Sequence, residues 1–411
     1  MKSHRLHYAD WSWREYAAGA TCLLTGRVKT GDAPRRLALA FAAMYAPSTA
    51  YPVNYGHTAI GIALSLFRTL QPARTEVLVP AYICPSVVAT VERAGLVPVP
   101  VPVGADLNLL PEAVRQAIGP ATLAVIAPHM FGCPARIGEI EAHCRQAGVF
   151  LVDDAAQVVG ERSEGRLLGS FGDVGIVSFA QSKTVVTGVR GSGGVLLVNN
   201  PALDAGVRQA WEALPAPHGR AAAFIGFVWN FMWSRHTGNS GYYFARLRDR
   251  LRGASATAPG PARISNLEAS IALVQLGRLA RIRAAKVDAL ETYHAALAAI
   301  PGVAIPQYAP GRYLSRIMLG LPADVDTAAL RRDLARCGVE TRLGYLESVR
   351  PHQPDDDELA AIRRMIGLPF GNLECGDISK ICSILKSCLA TARPALLESP
   401  LHETYQTAHQ R

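Results

Sequence analysis

The sequence predicts an α/β protein: a large, mixed but mostly parallel sheet sandwiched by helices, with a small C-terminal α/β unit. Three observations carry this. Short apolar runs of strand length alternate with amphipathic helical stretches from about residue 55 to residue 200. Many of those runs are apolar at every position, the pattern of strands covered on both faces. A long helical stretch from Asn266 to Ala299 then leads into a second, shorter strand–helix series.

The elements follow in order. GHTAIGIALSLFRTL reads as a loop opening a helix over 57–70. EVLVP is a buried strand, and SVVATVERAG is a helix that stops at a glycine. LVPVPVPV is strand and extended chain, and LPEAVRQAI is a helix. TLAVIAP is a strand, IGEIEAHCRQAG a helix, and VFLVDDA, DVGIVSF and GGVLLV are strands. The stretch from Asn266 reads as one long helix, stopped by Pro301-Gly302. YLSRIMLGL (strand), DTAALRRDLARCG (helix), VETRLGY (strand) and DISKICSILKSCLA (helix) build the smaller unit. The implied division is 1–265 for an N-terminal arm and large domain, 266–393 for the connecting helix and small domain, and 394–411 for a tail.

The chain has 411 residues, 49% of them apolar and 18% charged, which excludes a disordered polymer. Its net charge is +9, dispersed and Arg-rich, which suits an anionic small molecule. No basic run is interleaved with aromatics, so nucleic acid is not the expected partner. The eight cysteines include no CxxC pair, so free thiols in a reducing cytoplasm and no structural metal are expected. The N-terminus carries no apolar signal core. Residues 221–234, AAAFIGFVWNFMWS, are too short to span a bilayer. With the arginines that follow, 221–252 reads as an insertion buried against the body or a partner subunit, in preference to a membrane contact.

The chemistry concentrates at strand ends, where ligands of parallel sheets collect. Lys183 closes Ser178-Phe179-Ala180-Gln181-Ser182-Lys183, between an apolar strand and the glycine-rich GVRGSGG. A lysine so placed can form an imine with pyridoxal phosphate (PLP). LVDDAAQVVG ends a strand in Asp153-Asp154, with Gln157 close behind. A buried acid needs a partner, and a pyridinium nitrogen is a suitable one. Alternation sends the two aspartates to opposite sides, and spacing does not say which one meets a ring. Gly56-His57-Thr58 opens a helix whose N-terminus can hold phosphate. Ser178 ends a strand and can add a hydroxyl. His129, in AVIAPHMFG, can line the pocket.

Each signal is weak alone, but their order is specific. Over about residues 20–390 the chain resembles the DegT/DnrJ/EryC1/StrS aminotransferase family, a sugar aminotransferase branch of the fold-type-I PLP enzymes. PHMFGCPARI, LVDDAAQVVG, GSFGDVGIVSFAQSK and GSGGVLLVNN carry the resemblance, with ISNLEASIALVQL and Arg263 matching a later motif. The resemblance implies a seven-stranded PLP domain, a small C-terminal domain and a homodimer. It implies that Lys183 bears the cofactor, Asp154 meets its ring nitrogen and Gln157 its phenolic oxygen. Gly56, the amides of His57 and Thr58, and Ser178 would hold the phosphate. Arg263 and Arg190 are candidate substrate contacts.

Three positions depart from the family pattern. His57 stands where a Thr or Ser is usual. Cys84 stands where an aromatic ring stacks on the cofactor, a role that Tyr82 or His129 can take over. Pro261 stands where an Asn reaches the partner's phosphate. The expected activity is transfer of an amino group, from glutamate, to a keto-sugar carried on a nucleotide, in polysaccharide or natural-product biosynthesis. A family enzyme acting on a non-sugar ketone or catalysing elimination, and a non-catalytic PLP-binding regulator or partner subunit, are the alternatives.

Overall fold

The computed structural model describes residues 4–6, 11–180, 183–188, 193–217, 224–225, 227–228, 260–345, 362–370 and 373–391. Arg190 and most of the 221–252 insertion fall outside them.

Two helices open the chain, α1 (Trp13–Leu24) and α2 (Ala33–Met44). Then come β1 (Thr49–Val53), α3 (Gly56–Leu70), β2 (Glu76–Pro80), α4 (Pro85–Arg93), β3 (Val97–Val101), α5 (Pro111–Ala117), β4 (Thr122–Pro128), α6 (Ile137–Ala147) and β5 (Phe150–Asp154). A hairpin of two-residue strands, β6 (Arg162–Ser163) and β7 (Arg166–Leu167), leads to β8 (Val174–Ser178), β9 (Gly194–Val198) and α7 (Asp204–Glu212). The large sheet has seven strands in the order β1-β9-β8-β5-β4-β2-β3. β9 pairs antiparallel with both β8 and β1, and the pairs from β8 to β3 are parallel.

Side-chain alternation explains the continuous apolar runs. Val77 and Val79 of β2 enter one core with Phe67 of α3, whereas Leu78 enters a second core with Ile140 of α6. All seven residues of β4 are buried for this reason. The rings of Phe67 and Phe150 stack with centroids 4.1 Å apart.

The stretch expected as one long helix is two, α8 (Asn266–Leu276) and α9 (Leu279–Leu297). Ser265 and Glu268 form a capping box that starts α8. The break falls at Gly277-Arg278, where the Arg278 guanidinium lies 2.5 Å from the Oε1 of Glu15, a residue buried in α1. A weak helix former and a distant carboxylate thus override the local helical pattern. The smaller unit follows: β10 (Ile317–Gly320), α10 (Thr327–Arg336), β11 (Arg342–Leu343), β12 (Met365–Leu368) and α11 (Cys375–Thr391). β12 is the central strand of its three-stranded sheet. Sequence reading passed over β12, β1, α1 and α2.

Of the insertion, Phe227 rests on Trp11 and Tyr16 of the N-terminal arm, with ring centroids 6.3 and 6.2 Å away. Phe224 and Ile225 are exposed. No helix among the described residues is long and apolar enough to cross a membrane.

The two sheet units meet where the turn after β4 touches the chain entering β10. The amide of Ser315 donates to the carbonyl of Phe131 at 2.8 Å. Gly132 makes this approach feasible: its φ is +99°, and a Cβ there would sit 2.6 Å from the Ser315 nitrogen. Gly132→Ala is therefore expected to cost about 1–3 kcal/mol in urea unfolding, with the loss concentrated at this seam.

Candidate active site

Strand ends of the large sheet bring the predicted residues together. Asp154 ends β5 in register with Pro128 of β4 and Ile176 of β8. Ser178 ends β8 against the start of α3. A Cβ on Gly56 would stand 3.2 Å from the Ser178 Cβ, so a larger residue would crowd the space between helix N-terminus and hydroxyl.

The structure gives the two aspartates different surroundings. Asp153 is fully buried and saturated. Its Oδ1 accepts from Nε2 of His129 at 2.7 Å, and its Oδ2 accepts from the amides of Gly169 and Phe171 at 2.6 and 3.0 Å. The Nδ1 of His129 accepts from the Ala135 amide at 3.0 Å, which assigns the ring proton to Nε2. Asp154 points the other way. Its Oδ1 accepts from the Ala156 amide at 3.1 Å. Burial pushes its carboxyl above the usual range, opposed by the charge of Lys183. A cation brought against Asp154 would restore its ionised form. That requirement suits the protonated ring nitrogen of PLP.

Lys183 is half-buried, and its pKa is pushed down to about 8 by desolvation and by Arg316, against the pull of Asp154. A substantial fraction of neutral amine is then present near neutral pH, as a nucleophile or base requires. The segment that follows is pinned. The Thr184 and Tyr313 hydroxyls lie 2.7 Å apart, and the carbonyl of Val186 accepts from the Trp11 indole at 2.7 Å.

Gln157 is oriented from the smaller unit. Its Oε1 accepts from the Ser315 hydroxyl at 3.1 Å, which leaves its amide nitrogen as the group to turn toward a ligand oxygen. At the start of α3, Thr58 is tied down. Its amide donates to the Tyr55 carbonyl at 3.1 Å and its hydroxyl to Asn54 at 2.8 Å. Asn54 also accepts from the Ala262 amide, which brings the 260–263 segment alongside. The His57 Nε2 lies 2.7 Å from the Ser86 hydroxyl, itself 2.9 Å from the Cys84 thiol. Burial, Lys183 and Arg93 push the His57 pKa down to about 4, so the ring is neutral. His57, Thr58, Arg93 and Pro261 line one cavity of about 400 Å³.

Several expectations are corrected. His129 does not line the pocket: it has no exposed surface, and both ring nitrogens are spent. Tyr82 does not offer a free stacking face either. Its ring lies against Tyr345 and Phe131, with centroids 5.4 and 6.3 Å away, and its hydroxyl accepts from the Tyr345 amide. Cys84 remains half-buried at the N-cap of α4. The Thr58 amide is engaged within its own turn. The side chain of Arg263 is exposed, while its backbone bridges to Val53. Ser315, Arg316 and Tyr313 were missed. The polar Ser-Arg pair just ahead of an apolar strand was the available signal.

Comparison with known proteins gives a consistent picture. The model of the DegT/DnrJ/EryC1/StrS aminotransferase family matches residues 14–364. The erythromycin biosynthesis sensory transduction protein EryC1 of Saccharopolyspora erythraea is 28% identical over 324 residues, 79% of this chain and 76% of that protein. GDP-perosamine synthase of Vibrio cholerae is 26% identical over 382 residues, 89% of this chain and 94% of that protein. Among solved structures, Helicobacter pylori PseC, an aminotransferase involved in the biosynthesis of pseudoaminic acid, superposes with a TM-score of 0.77 at 14% identity. That match covers 95% of this chain and 100% of the other.

The aspartates should separate by mutation. Asp153→Ala strands three buried donors and is expected to cost about 3–5 kcal/mol in urea unfolding. Asp154→Asn is expected to leave the cofactor-free protein as stable or more so at pH 7. A folded pKa above the unfolded one contributes stability that is full at acid pH and lost as pH rises through the folded value. His57 has the opposite sign. Its folded pKa of about 4 lies below the unfolded 6.5, so stability should fall as pH drops through that window. His57→Gln should flatten that part of the profile in pH-resolved thermal melts.

Proposed function

The chain belongs to the DegT/DnrJ/EryC1/StrS aminotransferase family and is a PLP-dependent aminotransferase, and we propose that it moves an amino group from glutamate to a keto-sugar carried on a nucleotide. The observation that carries the catalytic part is the pairing of a half-buried lysine of lowered pKa with a buried carboxyl of raised pKa, Lys183 and Asp154. GDP-perosamine synthase, named for a nucleotide sugar, supports the acceptor class. The reading includes a cytoplasmic homodimer built from the large and small domains assigned above.

When bound, PLP supplies an electron sink for charge developing on the donor's Cα. The remaining roles belong to the chain. Lys183 would be the attachment point, and its Nζ in the neutral form would take the proton released from the donor's Cα. Asp154 would hold a proton against the ring nitrogen. Gln157, oriented by Ser315, would donate to the phenolic oxygen. Gly56, the His57 amide and the Ser178 hydroxyl would hold the phosphate at the N-terminus of α3. A neutral His57 adds no charge of its own beside that phosphate.

With PLP added, the purified protein should show a visible band that fades on addition of L-glutamate, with 2-oxoglutarate appearing in equal amount. Lys183→Ala should lower turnover by about 10²–10⁴-fold or more, and an active variant would remove Lys183 from its role. A panel of nucleotide-linked keto-sugars, free keto-sugars and simple ketones, scored for amine formation, tests the acceptor.

A further inference from the structure

The loop that carries Lys183 is tied to the rest of the molecule at several points, and one of them comes from the smaller unit. The amide of Lys183 donates to the Ala180 carbonyl at 3.1 Å, and the Thr187 amide closes the loop on the Phe179 carbonyl at 3.1 Å. Val186 is clasped from two directions. Its amide donates to Oε1 of Gln275 in α8 and its carbonyl accepts from the Trp11 indole, each at 2.7 Å. A further tie joins two side chains. The Thr184 and Tyr313 hydroxyls meet at 2.7 Å, across 129 positions of sequence. Both residues are buried. It is the one hydrogen bond that either hydroxyl makes among the described residues.

Thr184 shares a peptide group with Lys183. Its β-branched side chain has few allowed χ1 settings, so a held hydroxyl holds the backbone it springs from. Tyr313 is held in turn. Its ring centre lies 5.7 Å from the ammonium of Lys286, a buried residue, within the range of a cation–π attraction. The same ammonium donates to the Ser315 carbonyl at 3.3 Å, and the Ser315 hydroxyl donates to Gln157. Tyr313 and Ser315, two residues apart, thus contact the lysine loop and Gln157, which stand on separate segments of the large unit. Burial pushes the Tyr313 phenol up, so it keeps its proton near neutral pH.

We propose that Tyr313 is a positioning residue for Lys183: through the Thr184 hydroxyl it holds the lysine where its amine can reach the aldehyde carbon of PLP. The inference rests on the reading of Lys183 as the attachment point. In that step the amine adds to the aldehyde carbon, a C=N bond forms, and the aldehyde oxygen leaves as water with the two amine protons. The step depends on placement, since a displacement of about 1 Å can cost about 10²-fold in rate. Pyridoxamine phosphate carries an amine in place of the aldehyde, so its binding involves no such step.

A double-variant cycle separates a positioning role from a merely structural one. Tyr313→Phe or Thr184→Val alone leaves one buried hydroxyl without its partner, whereas the double variant removes both. The thermal midpoint of the cofactor-free protein should therefore fall by about 1–4 °C in each single variant, and the double should recover most of that loss. Attachment should not recover. The visible band that forms when PLP is added should appear at least ~10-fold more slowly in both singles and in the double. Affinity for pyridoxamine phosphate, measured by calorimetry, should stay within about 2-fold of the wild type. Attachment at the wild-type rate in all three variants overturns the proposal. A double variant whose attachment recovers along with its stability overturns it too, as does an equal loss of pyridoxamine phosphate affinity. Borohydride reduction of the PLP-loaded wild type, followed by peptide mapping, keeps the two readings apart. Label at Lys183 with unaffected attachment removes only the role of Tyr313. Label at a different lysine removes the reading of Lys183 and this proposal together.

Discussion

Two carboxyl groups sit side by side at the end of one buried strand, and the surrounding structure answers the electrostatic cost of that. Neither can hold its charge in a low-dielectric interior without partners. Asp153 is compensated by the protein, through His129 and two loop amides. Asp154 is compensated only in part, by one amide and by the fields of Lys183 and His129. The first fixes the loops after β4 and β7 to the core. The second leaves an electrostatic deficit beside Lys183, which an added cation can make good.

The smaller unit takes part in the same arrangement. Ser315 reaches across to Gln157, Tyr313 to Thr184, and Arg316 packs over Phe131. These contacts all lie within four residues ahead of β10. A short segment therefore couples the orientation of Gln157, the placement of the lysine loop and the packing of Arg316 on Phe131. Gly132 is the backbone feature that admits so close a crossing.

The departures from the family pattern at His57 and Cys84 are not independent. Through Ser86 the two side chains form one hydrogen-bonded chain along the starts of α3 and α4. Burial keeps the imidazole neutral, so a histidine at a helix start does not disturb the charge balance around Lys183. Pro261 borders the same cavity, held beside α3 through Asn54.

Local pattern was enough to read the parallel strands, most of the helices between them and the company of Lys183. The elements depend on periods within about fifteen residues, and Asp154 and Gln157 lie 29 and 26 positions before Lys183. β1 and β12 were not legible, because the first pairs with a strand some 150 positions away and the second is framed by strands remote in sequence. The choice between Asp153 and Asp154 was open for a related reason. It depends on His129 and on amides at 169 and 171, which only folding brings together. His129 and Tyr82 read as pocket residues because strand-end position is local, whereas their burial is set by distant partners. Arg316 was not legible because its packing partner, Phe131, lies 185 positions earlier. The sequence by itself determined the layered α/β architecture and singled out Lys183 as the candidate lysine. The tertiary structure decided which of the two aspartates is tied up by protein donors and which is left beside Lys183, since charge burial is a property of the whole neighbourhood and not of any one segment.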